Sequence, residues 1–429
     1  MSVFRQYFIA LIFSALAISA FSQHEGHNHV QDGHAPHEHG AGVPDAHADC
    51  GHSVNDPKEF DAGEFAVHHI SDANAVHIFG DLYLHLPCIL YAPGYGWTVT
   101  TTASFAAHHH GNGTRSNKGY VLVHGQVMRL TDPNYAEGAF EVSDYFHKDV
   151  TDAQGKTKTQ YSALINGKCV ALDPKTTYDG GILGGGKTSF YDFSVTRNVF
   201  TMLLTFLILF LMFRSAATAS VRRQGQAPRG LQNFLEPLVV FIRDEVAKPN
   251  IGPRYERYMP YLLSAFFFIL GLNLIGQIPF FPGSANVTGN ISLTIVLALL
   301  TFIISTFSAN KHFWEHTLWM PGVPAVLKVL ILTPIEVLGL FLKPFTLLLR
   351  LFANITAGHI VILSFVSLIF ILGKSGESLG GSVAGVAAAV PLTLFMMALE
   401  LLVAFLQAFI FTMLSASYIG AAVEEPHHH

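Results

Sequence analysis

Residues 324–373 read PAVLKVLILTPIEVLGLFLKPFTLLLRLFANITAGHIVILSFVSLIFILG, and residues 383–420 form a second apolar stretch almost as long. At 1.5 Å per helical residue, the first stretch would reach roughly 75 Å, more than twice a bilayer core of about 30 Å. Each stretch must therefore tilt steeply or break. A turn rich in glycine and serine joins them at residues 374–381. The sequence thus predicts a long helical hairpin lying obliquely in a membrane.

Three shorter apolar stretches before the hairpin predict further membrane passes, at residues 199–213, 261–281 and 290–308. The connection between the first two, residues 214–257, carries eight Lys or Arg against four Asp or Glu. The positive-inside rule places such a connection in the cytoplasm. Five passes then put the N-terminal region outside and the C-terminus inside.

The composition separates two physically different regions. Half of the 429 residues are hydrophobic and 13% are charged, which excludes a purely soluble protein. Residues 24–195 carry 10 Lys or Arg against 20 Asp or Glu and include 17 of the 23 histidines. Residues 196–429 carry 14 Lys or Arg against 10 Asp or Glu. No basic block points to nucleic-acid binding.

The first 22 residues are typical of a secretory signal peptide. Arg5 precedes an apolar run, and small residues near Ser22 offer a cleavage site. An uncleaved anchor helix is the alternative, although the run is short for a bilayer. In an exported region a disulfide is chemically permitted. Of Cys50, Cys88 and Cys169, one must stay unpaired within the chain, and the sequence does not reveal the pairing.

Residues 23–59 are rich in histidine and predict a disordered segment. Flexible imidazoles would bind a divalent metal only loosely. The candidate ligands are His24, His27, His29, His34, His37 and His39. A solvated polar leader is the alternative. Residues 60–195 alternate apolar and polar residues between turn signals, which predicts a β-rich exported extension. Residues 196–425 form the predicted all-α membrane domain, followed by a short tail at 426–429.

Charged residues within the hairpin are costly and suggest function. Glu336, Lys343 and Arg350 recur every seven residues, so they form one stripe that cannot face lipid. Asn354 extends this stripe by one turn. The alternative is that these residues are interhelical polar contacts that hold a bundle together.

A second set of polar residues points toward the contact between the two long helices. His359 lies nine residues after Arg350, half a turn away in angle, and should face the next helix. Glu400 and Gln407 are seven residues apart on that helix and share a face. A histidine and a glutamate that meet inside a membrane could exchange protons.

Four segments together resemble a known family. The sequence LRLFAN at residues 349–354, followed by Ala357 and Gly358, resembles the arginine signature of subunit a of the F-type ATP synthase. The segments LQAFIF at 406–411, LNLIGQIP at 272–279 and GLQNFLE at 230–236 are similar to further segments of that family. The resemblance covers residues 196–425. Residues 24–195 match no general pattern of the family, because they are longer and richer in histidine than its usual N-terminus.

The resemblance implies a stator that lies against a rotating ring of c subunits, in a complex with a b-subunit peripheral stalk, in the bacterial inner membrane. Arg350 would be the essential arginine and Asn354 its ring-facing neighbour. His359 and Glu400 would line a half-channel open to the periplasm, and Gln407 would help to hold Arg350. The other two residues implied in the proton path are Glu336, in the cytoplasmic half-channel, and Asn273.

One departure from the family concerns the proton route. Many bacterial members carry an acid at the His359 position and a histidine at the Glu400 position, so the two are exchanged here, as in mitochondrial members. No phosphate-binding loop of the Gly-x-x-x-x-Gly-Lys-Ser/Thr type occurs, so we expect no nucleotide catalysis in this chain. The transported ion would be H+, with no resident cofactor.

Two other functions remain open on the sequence. A stand-alone secondary transporter of a cation or metal could use the exported histidines to collect its substrate, although no inverted repeat is visible. A membrane-anchored, metal-binding periplasmic protein would leave Arg350, His359 and Glu400 unexplained.

Overall fold

The computed structural model describes residues 50–54, 62–63, 66, 70–79, 82–108, 111–151, 157–176, 189–278, 285–318, 328–374 and 378–424. The predicted signal peptide and the six candidate metal ligands from His24 to His39 lie outside these residues. The chain divides into a β-rich unit, which includes Asp72–Arg197, and a helical unit, which includes Asn198–His429.

The β-rich unit is built from antiparallel sheets, which confirms the predicted β-rich region. A six-stranded sheet has the order β1-β10-β11-β12-β9-β8, and a three-stranded sheet has the order β13-β4-β5. Two pairs, β2-β3 and β6-β7, complete the described strands. The strands are β1 His52–Ser53, β2 Ala75–Phe79, β3 Leu82–His85, β4 Pro87–Ala92, β5 Gly96–Thr101, β6 Ala107–His108, β7 Asn112–Gly113, β8 Tyr120–Val123, β9 Gln126–Leu130, β10 Val142–Thr151, β11 Thr157–Ile165, β12 Lys168–Asp173 and β13 Tyr191–Asp192.

Strand β8 is buried on both faces because it contributes to two hydrophobic clusters. Val121 and Val123 pack with residues of the large sheet, whereas Tyr120 and Leu122 pack with Leu90 and other residues around the small sheet. Alternate residues of a strand point to opposite sides, so one short apolar run can join two layers.

The cysteines divide into one pair and one free thiol. Cys50, which precedes β1, forms a disulfide with Cys169 in β12, with 5.7 Å between their Cα atoms. Cys88 is free and buried in β4. Burial raises the pKa of the Cys88 thiol to about 12, and the nearby Asp192 carboxylate adds to the shift. This thiol is therefore neutral at physiological pH.

Within the described residues, the helical unit has five helical segments that are long and apolar enough to cross a membrane, as the sequence predicts. The helices are α1 Arg197–Arg222, α2 Leu231–Phe241, α3 Tyr255–Gly276, α4 Ile291–Ser308, α5 Lys311–Leu318, α6 Thr333–Leu372 and α7 Leu379–Val423. A π-helical turn and two short turns connect α2 to α3, so Leu231–Gly276 is one helical path of 46 residues.

Several predicted boundaries differ from the observed ones. The first helix continues nine residues past 213, to Arg222, and the basic connection is helical from Leu231 onward. The end of the second predicted pass at 281 and the start of the fourth at 324 lie outside the described residues. The charged residues of the connection at 214–257 predict an interruption between two helices. A helix can nevertheless carry charged residues on a side that faces water.

The helices differ strongly in burial within the chain. In their most apolar 18-residue windows, 61% of Leu231–Gly276 is buried, against 11% of Leu330–Leu372. Small residues bring α6 and α7 together. A β-carbon on Gly385 of α7 would lie 2.9 Å from Cα of Ile369 in α6, closer than real contacts allow. The two helices therefore form the predicted hairpin, in which few residues of α6 are fully buried.

Candidate functional site

Gln407 connects α7 to the main chain of α6 at Arg350. Its amide nitrogen Nε2 donates to the carbonyl oxygen of Leu351 at 2.6 Å and to that of Arg350 at 3.3 Å. Gln407 is 3% exposed, so water does not compete for these bonds. The glutamine thus holds the backbone of Arg350 rather than its guanidinium.

A chain of buried amides and hydroxyls supports Gln407 from the other side. Asn273 of α3 donates from Nδ2 to Gln407 Oε1 at 3.5 Å and to the carbonyl oxygen of Ala404 at 3.3 Å. Thr288, just before α4, donates to Asn273 Oδ1 at 2.7 Å. These contacts connect three elements to the backbone that carries Arg350. They place Asn273 behind the arginine as a positioning residue.

The predicted stripe on α6 lies on one continuous helix, Thr333–Leu372. Arg350 and Lys343 are half-buried, whereas Glu336 and Asn354 are exposed. The ammonium of Lys343 lies 5.5 Å from the ring centre of Tyr418 on α7, within range of a cation–π interaction. No ion pair joins these charged side chains to one another in the described part of α6. Among the described residues, Arg350 thus has no ion-pair partner on its own stripe.

His359 and Glu400 meet across the hairpin. His359 Nδ1 lies 3.5 Å from Glu400 Oε1, and the two side chains are 18% and 4% exposed. Gly358 makes room for this carboxylate, because a β-carbon there would lie 3.1 Å from Oε1. The half-turn offset between Arg350 and His359 in the sequence anticipates this contact. A histidine and a carboxylate at this separation can share a proton.

Further polar groups line the hairpin close to this pair. Thr356 Oγ1, Thr393 Oγ1 and Glu400 Oε1 are buried and have no hydrogen-bond partner within the described residues. Buried polar groups in proteins are nearly always hydrogen-bonded, to protein or to water. These three buried atoms are therefore places where a water molecule can bind.

A small cavity lies between α4, α6 and α7. Along α6, it is on the N-terminal side of Arg350, whereas His359 is on the C-terminal side. It has a volume of about 20 Å³ and is lined by residues that include Thr301, Thr306, Lys343 and Tyr418. That volume accommodates a single water molecule. Thr306 Oγ1 is buried with no partner among the residues described. The cavity thus combines polar groups and space for water inside an apolar bundle.

The sequence did not single out several of these residues. Thr288 and Tyr418 look like ordinary polar residues in or beside apolar segments, and only the folded arrangement brings them to Asn273 and Lys343. Gly358 stands in the quoted motif, but nothing in the sequence says that it faces Glu400. A small residue next to a buried polar position is the only available signal.

Comparisons with known proteins divide the chain in the same way. Residues 199–420 match the family described as ATP synthase A chain. Residues 65–153 match a domain family of unknown function.

Individual relatives extend these matches. Over 250 residues, the chain is 45% identical to ATP synthase subunit a 2 of Chlorobaculum tepidum, a match that covers 56% of this chain and 66% of that protein. Over 244 residues, it is 47% identical to ATP synthase subunit a of Chloroherpeton thalassium, covering 56% and 69%. These matches span about two thirds of the relatives' lengths.

A third relative reaches beyond the helical unit. ATP synthase subunit a of Anaeromyxobacter sp. strain Fw109-5 is 39% identical over 322 residues, covering 72% of each chain. The helical unit alone is too short for this coverage, so the likeness extends into the N-terminal half. This relative therefore shares part of the N-terminal half in addition to the helical unit.

Proposed function

The chain belongs to the family of subunit a of the F-type ATP synthase, and we propose that its hairpin carries protons through two half-channels to and from the carboxylates of a c-subunit ring. The observation that carries the proposal is the geometry around Arg350. Buried hydrogen bonds from Gln407 fix its backbone, while its side chain remains half-buried on the exposed side of α6. A fixed positive charge is thereby offered to a partner in the membrane.

Arg350 acts as a charge barrier. A guanidinium stays protonated at any reachable pH, so it cannot pass a proton from one half-channel to the other. At about 4 Å and an effective dielectric near 20, it attracts an ionised ring carboxylate by about 4 kcal/mol. A ring site that arrives at Arg350 must therefore release its proton to one side. Each proton that crosses yields about 2.3 kcal/mol per 100 mV of membrane potential, which drives rotation.

His359 and Glu400 form the proton relay of the periplasmic half-channel. Because His359 Nδ1 and Glu400 Oε1 are 3.5 Å apart, a proton can pass between them once the side chains move slightly closer, or through one bridging water molecule. The buried hydroxyls of Thr356 and Thr393 support this role, because they can hydrogen-bond to water along the same contact. The exchange of histidine and acid relative to many bacterial members preserves both proton-exchanging groups.

The cavity near Lys343 and Tyr418 belongs to the cytoplasmic half-channel. It holds about one water molecule among hydroxyl groups. Glu336 lies exposed two turns before Lys343 on the same helix and would pass protons between this cavity and the cytoplasm. Asn273 and Gln407 contribute by positioning, and Asn354 lies beside the arginine on the ring-facing side.

The partners follow from the exposed surface of α6 and from the family. Leu342, Phe345 and Leu349 are exposed on α6 near Arg350, and an apolar ring of c subunits would cover them. The peripheral stalk of b subunits would hold the subunit still against that ring. The basic connection at 214–257 supports an orientation with the C-terminus in the cytoplasm and the β-rich unit in the periplasm. The histidine-rich segment would bind divalent metal weakly.

The decisive experiment replaces Arg350 in the intact complex in vesicles. Arg350→Ala should abolish proton-driven ATP synthesis and raise passive proton leak, because both the attraction and the barrier are lost. Arg350→Lys should also fail, since an ammonium can lose its proton and lacks the planar fork. Lys374→Ala, at the exposed end of the hairpin, is the control and should leave both rates unchanged. An Arg350→Ala complex that still couples proton flow to synthesis would contradict the proposal.

A further inference from the structure

The three-stranded sheet of the β-rich unit has two apolar faces. On the inner face, Cys88, Leu90 and Ala92 of β4 are fully buried in a hydrophobic cluster with Phe105 and Phe190. Antiparallel sheets usually place polar residues on the opposite, solvated face. In this sheet, the face opposite the buried cluster carries mainly apolar residues instead of polar ones.

The outer face of this sheet is made of apolar and aromatic side chains. Its register pairs Tyr91 with both Trp97 and Tyr191, and Ile89 with Val99. Three of these side chains are strongly exposed: Val99 at 70%, Trp97 at 61% and Tyr191 at 40%. Together with Phe193, whose ring centre lies 5.5 Å from that of Trp97, they form a surface that we call the aromatic face. Its members are Ile89, Tyr91, Trp97, Val99, Tyr191 and Phe193.

A contiguous exposed patch of this kind marks an interaction site. Tryptophan and tyrosine are the residues enriched where a membrane meets water, because each combines an apolar ring with a polar group that remains hydrated. None of the six members carries a charge. The core of a protein interface is also aromatic and uncharged, so the place of this face in the chain has to distinguish lipid from protein.

The sheet that carries this face is followed in the chain almost directly by a candidate membrane span. The backbone nitrogen of Phe193 donates to the carbonyl oxygen of Ile89 at 2.8 Å, and that of Val195 donates to the carbonyl oxygen of Pro87 at 3.1 Å. Pairing with β4 therefore continues to Val195. Helix α1, the first candidate membrane span, begins at Arg197. Two residues span at most about 7 Å, so only a very short piece of chain separates the sheet from the start of a candidate membrane span.

We propose that the aromatic face lies in the headgroup region of the lipid bilayer, beside the point where α1 enters it. The ligand is the lipid surface itself, with the rings of Trp97, Tyr91 and Tyr191 at the level of the ester groups. This surface role is independent of proton transport by the hairpin.

The test measures the fluorescence of Trp97 in the full chain reconstituted into phospholipid vesicles. The chain contains two other tryptophans, so Trp314→Phe and Trp319→Phe leave Trp97 as the single reporter. Lipids brominated on the acyl chain just below the headgroup quench only fluorophores that reach the interface. The matched control carries Trp97→Phe and Val150→Trp, which moves the reporter to an exposed position on β10 of the other sheet.

Brominated lipid should quench Trp97 at least two-fold more than the reporter at position 150, and aqueous acrylamide should show the reverse order. Val99→Glu should lower the quenching of Trp97 by brominated lipid at least two-fold, whereas Val150→Glu should not. Formation of the Cys50–Cys169 disulfide in each variant verifies that the unit has folded. Acrylamide quenching without lipid quenching would show that the face is open to water. Protection from both quenchers would show that a protein, or a second copy, covers it. Either result overturns the proposal.

Discussion

Gly358 is the residue of α6 that makes room for the Glu400 carboxylate. A β-carbon at this position would lie 3.1 Å from Oε1, 3.4 Å from Cδ and 3.6 Å from Cγ of Glu400. The first distance is tighter than most real contacts, so Gly358→Ala should displace the carboxylate by a few tenths of an ångström. The substitution tests whether the position of this group limits proton flow.

The expected magnitude follows from the geometry of the relay. His359 and Glu400 are already 3.5 Å apart, at the long end of hydrogen bonding. Misplacing reacting groups by 1 Å can cost about 10²-fold in rate. A displacement of a few tenths should therefore slow proton flow by roughly 3- to 10-fold. The helix itself should not weaken, because alanine is the better helix former by about 0.8–1.0 kcal/mol.

The assay is ATP-driven proton pumping in inverted vesicles, with the amount of assembled complex measured in parallel. Gly339→Ala is the matched control, because nothing lies within 4 Å of a β-carbon built at that position of the same helix. It should pump at the normal rate. If Gly358→Ala assembles normally and pumps as fast as Gly339→Ala, the position of the Glu400 carboxylate does not govern proton transfer.

Other predictions concern the relay, the free thiol and the histidine-rich segment. His359→Ala and Glu400→Ala should each slow pumping strongly, with a double mutant little worse than the worse single; strict additivity would show that they do not interact. Cys88 should resist a maleimide reagent at pH 8 in the folded chain. Folding raises the pKa of Cys88 from 9.0 to about 12, so the free energy of unfolding should fall as the pH rises between these two values. Denaturant unfolding at a series of increasing pH values measures this loss. Deleting residues 24–39, which contain the six candidate metal ligands and leave Cys50 and β1 in place, should leave pumping near normal. A collapse of pumping in an assembled complex would place this segment in the proton entry.

The sequence predicts the architecture of the helical unit well, because hydropathy and length determine it. Five apolar segments and a turn rich in small residues suffice for five spans and a hairpin. The contact between His359 and Glu400 is also predictable, since nine residues on a helix amount to half a turn. Once the partner helix is known to be adjacent, the side chain that faces it is fixed.

The parts that the sequence does not predict depend on contacts between distant segments. The disulfide between Cys50 and Cys169 is set by the pairing order of β1, β10, β11 and β12, which no local pattern reveals. The bond from Thr288 to Asn273 likewise requires the approach of α4 to α3. Even Lys343, which the sequence groups with Glu336 and Arg350, finds its partner in Tyr418 of another helix.

The low burial of α6 has a consequence for biogenesis. Only 11% of its most apolar window is covered by the rest of the described chain, although this helix carries Arg350. Before it meets a partner, a newly inserted subunit would thus display the half-buried Arg350 on a helix that the described part of the chain covers only to a small extent. Such a helix is a natural recognition signal for membrane proteases that remove orphan subunits. The surface that we propose for the rotor contact would therefore also limit the lifetime of copies that never find a rotor.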